Sequence, residues 1–179
     1  VNTIGNLILR ALLLFLPAMV ANASPVLIVG KIVKNGHPID LGYILKDGRR
    51  LFGEGKTWEG LISGIITSSL VGLSYAKYTT NNYWIMYGIV VGLGALLGDL
   101  LNSFVKRRLG KGRGDPFPPF DQITFIIGAF IMIKVSGIEA LTGIYLNSTD
   151  LLIGVAIAGI LHPVSNYIAY KLGLKSVPW

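Results

Sequence analysis

Asp99, Asn102, Ser103 and Lys106 stand at i, i+3, i+4 and i+7 in the stretch GDLLNSFVKRR, residues 98–108. Helical geometry sets all four on one stripe, pointing into a bundle. The residues before them are so apolar that lipid is their natural solvent, and an ionised carboxylate in hydrocarbon costs at least about 2.5 kcal/mol. Asp99 therefore requires protein, water or a cation beside it. Asp121 follows the Gly/Pro-rich loop GKGRGDPFPPFDQ and begins the next helix, on the side where the previous one exits. Two carboxylates brought together there repel unless a divalent cation lies between them, and hard oxygen ligands of this kind suit Mg²⁺. The competing arrangement is an ion pair of Asp99 with Lys106 or Arg107 and a helix cap from Asp121.

A second constellation is LKDGRRLFGEGKTWEGL, residues 45–61, with paired Arg49 and Arg50, glycines at 48, 53 and 55, and Lys56-Thr57 directly before a helix that starts near Trp58. Glycines let backbone amides turn toward an anion and Lys56 adds a point charge. Thr57 can bond to phosphate or simply cap the helix. This is not a Walker A loop, since Arg50 stands where that spacing requires glycine and no strand precedes it. Together with Asp99, Asp121 and the Lys106–Arg108 cluster, the turn points to one Mg²⁺–polyphosphate site at a membrane surface.

The elements that must position these groups are membrane helices. With 52% hydrophobic and 14% charged residues in 179, the chain lies outside the balance of a soluble protein. Five spans are expected, near 5–29, 60–76, 83–105, 122–146 and 151–170, in a single all-α transmembrane domain covering 1–179. The first could be mistaken for a signal peptide, but Arg10 lies inside its pattern and apolar character resumes through Val26–Val29. A retained helix, kinked or broken near Pro17 and Pro25, is expected. Lys31, Lys34, Lys46, Arg49, Arg50 and Lys56 precede the second span, Lys106, Arg107, Arg108, Lys111 and Arg113 follow the third, and Lys171 and Lys175 lie in the tail. Odd spacing of five spans puts all three segments on one side, and the positive-inside rule makes that side cytoplasmic with the N-terminus outside.

Composition also excludes. No cysteine means no thiolate chemistry, and the two histidines, His37 and His162, cannot build a His-rich metal site, so any metal is held by oxygen. The net charge of +7 flanks lipid spans rather than lining a soluble fold, which argues against nucleic acid and for anionic headgroups or polyphosphates.

The motifs DGRRLFGEGKTWEGL, GALLGDLLNSFVKRRLGKGRGDPFPPFDQ and HPVSNYIAYKLGLKSVPW, with VANASPVL and HPID upstream, strongly resemble the CDP-archaeol synthases, archaeal CTP-dependent cytidylyltransferases of ether-lipid synthesis. The stretch from Ser103 through Lys106 and Arg107 to Asp121 is similar, in reduced form, to the signature of phosphatidate cytidylyltransferases. It lacks the His-Gly-Gly and second Asp of that longer signature, which favours the archaeal branch. The resemblance implies attack of an unsaturated diether glycerol 1-phosphate on the α-phosphorus of CTP, with loss of pyrophosphate, at the cytoplasmic face of the cell membrane. It implies Mg²⁺ on Asp99 and Asp121, with Lys106 completing the catalytic set. Arg49, Arg50, Gly53, Gly55, Lys56, Thr57, Ser103, Arg107 and Arg108 would contact CTP and the lipid phosphate, the turn from Arg50 to Gly55 reading the base. Two rivals are a small transporter using a membrane Asp with Arg10 or Lys134, and a non-catalytic anionic-lipid-binding protein. The first would not need two basic glycine-rich loops; the second leaves Asp99 and Asp121 without a role.

Overall fold

The structure is a computed structural model that describes residues 3–31 and 36–178. Lys34, counted above in the charge of the first loop, lies outside the described residues. Among the described residues there are five long helices and one short one: α1 Ile4–Lys31, α2 Trp58–Thr79, α3 Tyr83–Arg108, α4 Phe120–Ser136, α5 Ile138–Thr142 and α6 Ser148–Lys171. No strand forms among the described residues; Pro38–Thr57 and Ile44–Arg50 make isolated bridges within the first loop. Segments Ile4–Val26, Tyr83–Arg108 and Ser148–Lys171 are long and apolar enough to cross a bilayer by length and composition. α2 and α4 pack on either side of α3.

Backbone approach through glycine builds this core. A Cβ on Gly98 would lie 2.3 Å from the Thr124 carbonyl oxygen, and one on Gly128 would lie 2.3 Å from that of Gly94. On another face of α3, a Cβ on Gly88 would lie 2.4 Å from the Ser68 carbonyl oxygen of α2. Bilayer lipid is as apolar as leucine, so helices here gain by close packing rather than by escaping water. α3 is thus the central element, and its last turns carry the polar stripe.

Two expectations need correction. Of the kink or break expected in α1, the break does not occur: the helix continues through Pro17 and Pro25. Each proline frees the carbonyl four residues earlier. The Tyr75 hydroxyl donates to Leu13 O at 2.7 Å and the Ser24 hydroxyl donates to Ala21 O at 3.3 Å, so both carbonyls are satisfied without opening the helix. The fourth segment is not one helix to residue 146. It stops at Gly137 (φ +71°), turns once through α5 and stops again at Gly143 (φ +75°). Positive φ is the conformation glycine adopts without a Cβ penalty, which is how both helices end.

At the end of the bundle away from the basic loops, acids and bases are matched. Arg10 Nε donates to Asp150 Oδ1 at 2.8 Å, and Lys134 Nζ donates to Glu139 Oε1 at 2.7 Å. These pairs tie α1 to α6 and α4 to α5. Both cations proposed for a transporter pathway are therefore engaged in ion pairs.

Candidate active site

The loop of residues 36–57 owes its shape to one buried carboxylate. Asp40, whose side chain is 0% exposed, accepts from the Arg50 guanidinium and from the amides of Phe52 (3.0 Å), Gly53 (2.8 Å) and Gly42 (3.2 Å). Burial opposes its charged form, but Arg50 and the three amides outweigh burial and hold the carboxyl well below the usual carboxylate range. The opposite strut comes from α3: Arg108 donates to Asp47 Oδ1 at 2.6 Å and to Arg50 O at 2.5 Å, while Arg49 donates to the Arg108 carbonyl. Arg49, Arg50 and Arg108 thus lock the glycine-rich turn onto the end of α3. Asp40 was not singled out from sequence, where nothing distinguishes it from a surface aspartate.

This lock delivers Lys56 to Asp99. Lys56 Nζ donates to Asp99 Oδ2 at 2.5 Å, with both side chains a little over a quarter exposed. Asp99 therefore pairs with a lysine from the first loop, and not with Lys106 or Arg107 on its own helix. Asp121 accepts from Asn102 Nδ2 at 2.7 Å, from Lys106 Nζ at 3.2 Å and from the Phe117 amide at 2.8 Å. Ser103, on the same stripe, is buried. Since Gly98 meets Thr124 and Asn102 meets Asp121, the two carboxylates occupy the same end of the α3–α4 pair. Thr57 serves as the N-cap of α2, its hydroxyl accepting from the Gly60 amide at 3.2 Å.

Beside these pairs, on the loop side, a groove of about 290 Å³ is lined by Arg50, Gly53, Arg107, Gly110, Lys111 and Arg113, with Glu54 also in its wall. Gly53 adopts φ +95°, a conformation that favours glycine, and a Cβ there would be in ordinary contact with the Arg107 side chain at 3.6 Å. A Cβ on Gly55 would lie 3.8 Å from the Arg113 side chain.

Three further residues enter from the C-terminal side. His162 and Asn166, one turn apart on α6, approach within 3.3 Å, and the His162 ring faces Phe125 at 6.1 Å between centroids. His162 lies within electrostatic reach of Lys175, Asp121, Asp99 and Lys56. Burial and, after the opposing pull of Asp121, the charges of Lys106 and Lys56 push the Lys175 ammonium down from the usual lysine value. From sequence, Lys175 counted only as a basic tail residue and His162 as one of two histidines, and the motif HPVSNYIAYKLGLKSVPW carries no spacing that specifies chemistry.

Among the described residues no three His, Asp or Glu side chains converge on a metal-sized gap. The donor set is two carboxylates from adjacent helices, each held by a lysine whose flexible stem can move aside. That set fits Mg²⁺, which binds through one or two carboxylates and completes its shell with water and substrate phosphates.

The CarS-like family, CDP-archaeol synthase, matches residues 4–179. The chain belongs to the CDP-archaeol synthase family. It is 42% identical over 172 residues to the CDP-archaeol synthase of Sulfurisphaera tokodaii, covering 96% of each chain. It is 41% identical over 172 residues to that of Aeropyrum pernix, covering 96% of this chain and 92% of the relative. A solved structure, described as an intramembrane enzyme for archaeal membrane lipid biosynthesis, superposes with a TM-score of 0.74 at 39% identity, covering 89% of this chain and 94% of that one. The resemblance read from the motifs is borne out, and so is the polytopic helical fold. As a member of the CDP-archaeol synthase family the chain is a membrane-embedded enzyme.

Proposed function

We propose that the chain is a Mg²⁺-dependent cytidylyltransferase that converts CTP and an unsaturated isoprenoid diether glycerol 1-phosphate to a CDP-lipid and pyrophosphate, at the cytoplasmic face of a single transmembrane domain. The observation that carries this reading is the Lys56–Asp99 contact, which joins the phosphate-cradle turn to the membrane carboxylate in one site. A lipid phosphate oxygen forms a new bond to the α-phosphorus of CTP as the bond to the bridging oxygen of the β-phosphate breaks, and pyrophosphate leaves. A phosphate monoester has a second pKa of about 6, so the nucleophile is largely deprotonated at neutral pH without a general base.

Catalysis then rests on placement and charge. Asp99 and Asp121 would hold Mg²⁺, which supplies neutralisation of phosphate charge. Lys56 and Lys106, which donate to those carboxylates, would also reach phosphate oxygens of the nucleotide. Arg107, Lys111 and Arg113 in the groove receive the departing pyrophosphate. The turn from Arg50 to Gly55 reads cytosine; since the amides of Phe52 and Gly53 point at Asp40, that reading falls to Glu54 and Gly55.

The test is transfer of label from CTP into a lipid-soluble product by detergent-solubilised protein. Asp99→Asn and Asp121→Asn should each leave folded, inserted protein and lower transfer by at least about a hundredfold, the scale for loss of a charge from an electrostatically driven phosphoryl-type transfer. Lys56→Ala should weaken CTP use while Mg²⁺ dependence persists. Near-normal activity of both Asn variants across a Mg²⁺ titration would reduce the carboxylates to ion-pair partners.

A further inference from the structure

The first loop folds back on itself, and its tip holds apolar side chains in the open. Tyr43 O accepts from the Leu51 amide at 3.0 Å and the Leu45 amide donates to Arg49 O at 2.9 Å, which pairs the two arms of a hairpin. Leu41, Tyr43 and Ile44 are 83%, 63% and 58% exposed. Leu41 stands at φ +46°, a left-handed conformation that residues with a Cβ seldom adopt. The tip is nevertheless fixed, since the Tyr43 amide donates to Asp40 O at 2.7 Å and the Gly42 amide to Asp40 Oδ1 at 3.2 Å. A strained backbone and three open apolar side chains thus coincide at one ordered place.

What meets this tip follows from where the hairpin is fastened. One foot is at the start of α2, where Pro38 bridges Thr57 and the Trp58 amide donates to His37 O at 3.0 Å. Trp58, Ile62, Ile66 and Leu70 are exposed at four-residue intervals down α2. Such steps stay on one face, so this is a lipid-facing row, and the tryptophan at its end is a residue favoured at the headgroup level. The other fastening is Arg108, which donates to Asp47 Oδ1 at 2.6 Å. Arg108 ends a second outward row on α3: Leu97 and Leu101 are exposed below it, and its guanidinium lies 5.3 Å from the centre of the Phe104 ring. By helical geometry this row lies opposite the Asp99–Lys106 stripe, so it faces away from the site.

The tip therefore continues two lipid-facing rows beyond the level of Trp58. Leu41 is three residues past Pro38, at most about 10 Å of extended chain. The headgroup layer is itself about 5–7 Å deep, so the tip is within reach of it. Lys46 adds the matching charge. It is exposed, without a hydrogen bond or ion pair among the described residues, and borders a recess of about 570 Å³ with Tyr43, Ile44 and Arg108. An ammonium beside apolar side chains suits a surface of hydrocarbon capped by phosphates, its stem in the first and its charge among the second.

We propose that the hairpin tip, Leu41–Ile44 with Lys46, is a membrane-interface anchor: its apolar side chains enter the headgroup–acyl boundary beside α2 and α3, and Lys46 meets lipid phosphates. The partner is the bilayer surface, not the acceptor lipid in the site. Anchoring holds the glycine-rich turn, carried by the same hairpin, close to headgroup depth. The inference rests on membrane embedding alone and is independent of the nucleotide and metal that the site uses.

The chain has no cysteine, so single cysteines can be labelled without background. Leu41→Cys, Ile62→Cys as a lipid-facing reference and Glu54→Cys as a reference in the groove wall each receive a small fluorophore in the full chain. They are placed in nanodiscs of phosphatidylcholine and phosphatidylglycerol, which expose both bilayer faces. Quenching is read with iodide in water and with a phospholipid carrying a nitroxide just below its headgroup. The nitroxide lipid should quench the Leu41 label at least about threefold more than the Glu54 label, as insertion to about 5–10 Å requires. Ile44→Asp, added to the Leu41→Cys chain, should bring that quenching down toward the Glu54 value, and Lys46→Gln should lower it in part. A Leu41 label quenched by iodide as strongly as the Glu54 label and untouched by the nitroxide lipid overturns the anchor, with no second substitution needed. A label shielded from both quenchers means that a second copy or another protein covers the tip, and overturns it equally. Lipid quenching unchanged by Ile44→Asp would show that the apolar side chains do not hold the tip in place, which also overturns the proposal.

Discussion

Asp40→Ala tests whether the buried carboxylate shapes the glycine-rich turn. The substitution removes the acceptor for the Arg50 guanidinium and for three amides, those of Gly42, Phe52 and Gly53. Breaking a buried ion pair by deleting one member typically costs about 3–5 kcal/mol, since the other charge is left uncompensated. The Arg50 side chain is 24% exposed and can recover some hydration, so the lower end, about 3 kcal/mol, is the reasonable figure. That is roughly two orders of magnitude in the loop's opening equilibrium. Hydrogen exchange followed by mass spectrometry should show residues 36–57 losing protection while α3 keeps its own. CTP use should fall because Lys56 is no longer delivered to Asp99. Unchanged exchange in the loop would refute the claim that Asp40 organises it. The pH dependence follows from the same geometry. A carboxyl held below its ordinary value of 3.8 contributes stability that is fully present above about pH 4 and is lost only as pH falls further, toward its lowered value. Loop protection should therefore be flat from pH 7 to about 4.5 in wild type.

Gly98→Ala would place a Cβ 2.3 Å from the Thr124 carbonyl oxygen, so α3 and α4 must separate; a stability loss of about 1–3 kcal/mol in detergent, with weakened transfer, is expected, and an unchanged melting temperature would contradict the close packing. Arg10→Ala leaves Asp150, whose side chain is 3% exposed, without its guanidinium at the far end of the bundle; the melting temperature should fall while KM for CTP holds, and a changed KM would show coupling that the fold does not display. For sidedness, Lys46→Cys should react with an impermeant thiol reagent only from the cytoplasmic side and Tyr78→Cys, 91% exposed at the other end, only from outside; the reverse pattern would place the proposed site on the wrong face.

Sequence by itself determined the class of solvent, the helical class and the family. Hydropathy and the 3.6-residue period are local properties, so the helical stripe of Asp99, Asn102, Ser103 and Lys106, the α2 start at Trp58 and the Thr57 cap were legible in single segments. Long motifs carried the family for the same reason. Where a helix stops was harder to read: Gly137 and Gly143 end helices, whereas Gly94, Gly98 and Gly128 lie inside them as packing surfaces. Only a φ value or a neighbouring backbone separates those uses. Prolines showed the same ambiguity, resolved by Tyr75 reaching across to Leu13 O. The tertiary structure alone decided which cation answers which carboxylate. Lys56 lies 43 residues from Asp99 and Arg50 lies 10 from Asp40, and no spacing rule selects such partners among 16 lysines and arginines. The choice is made by close helix packing, which sets loop ends within reach, and by the cost of an unpaired charge, which then fixes the pairs.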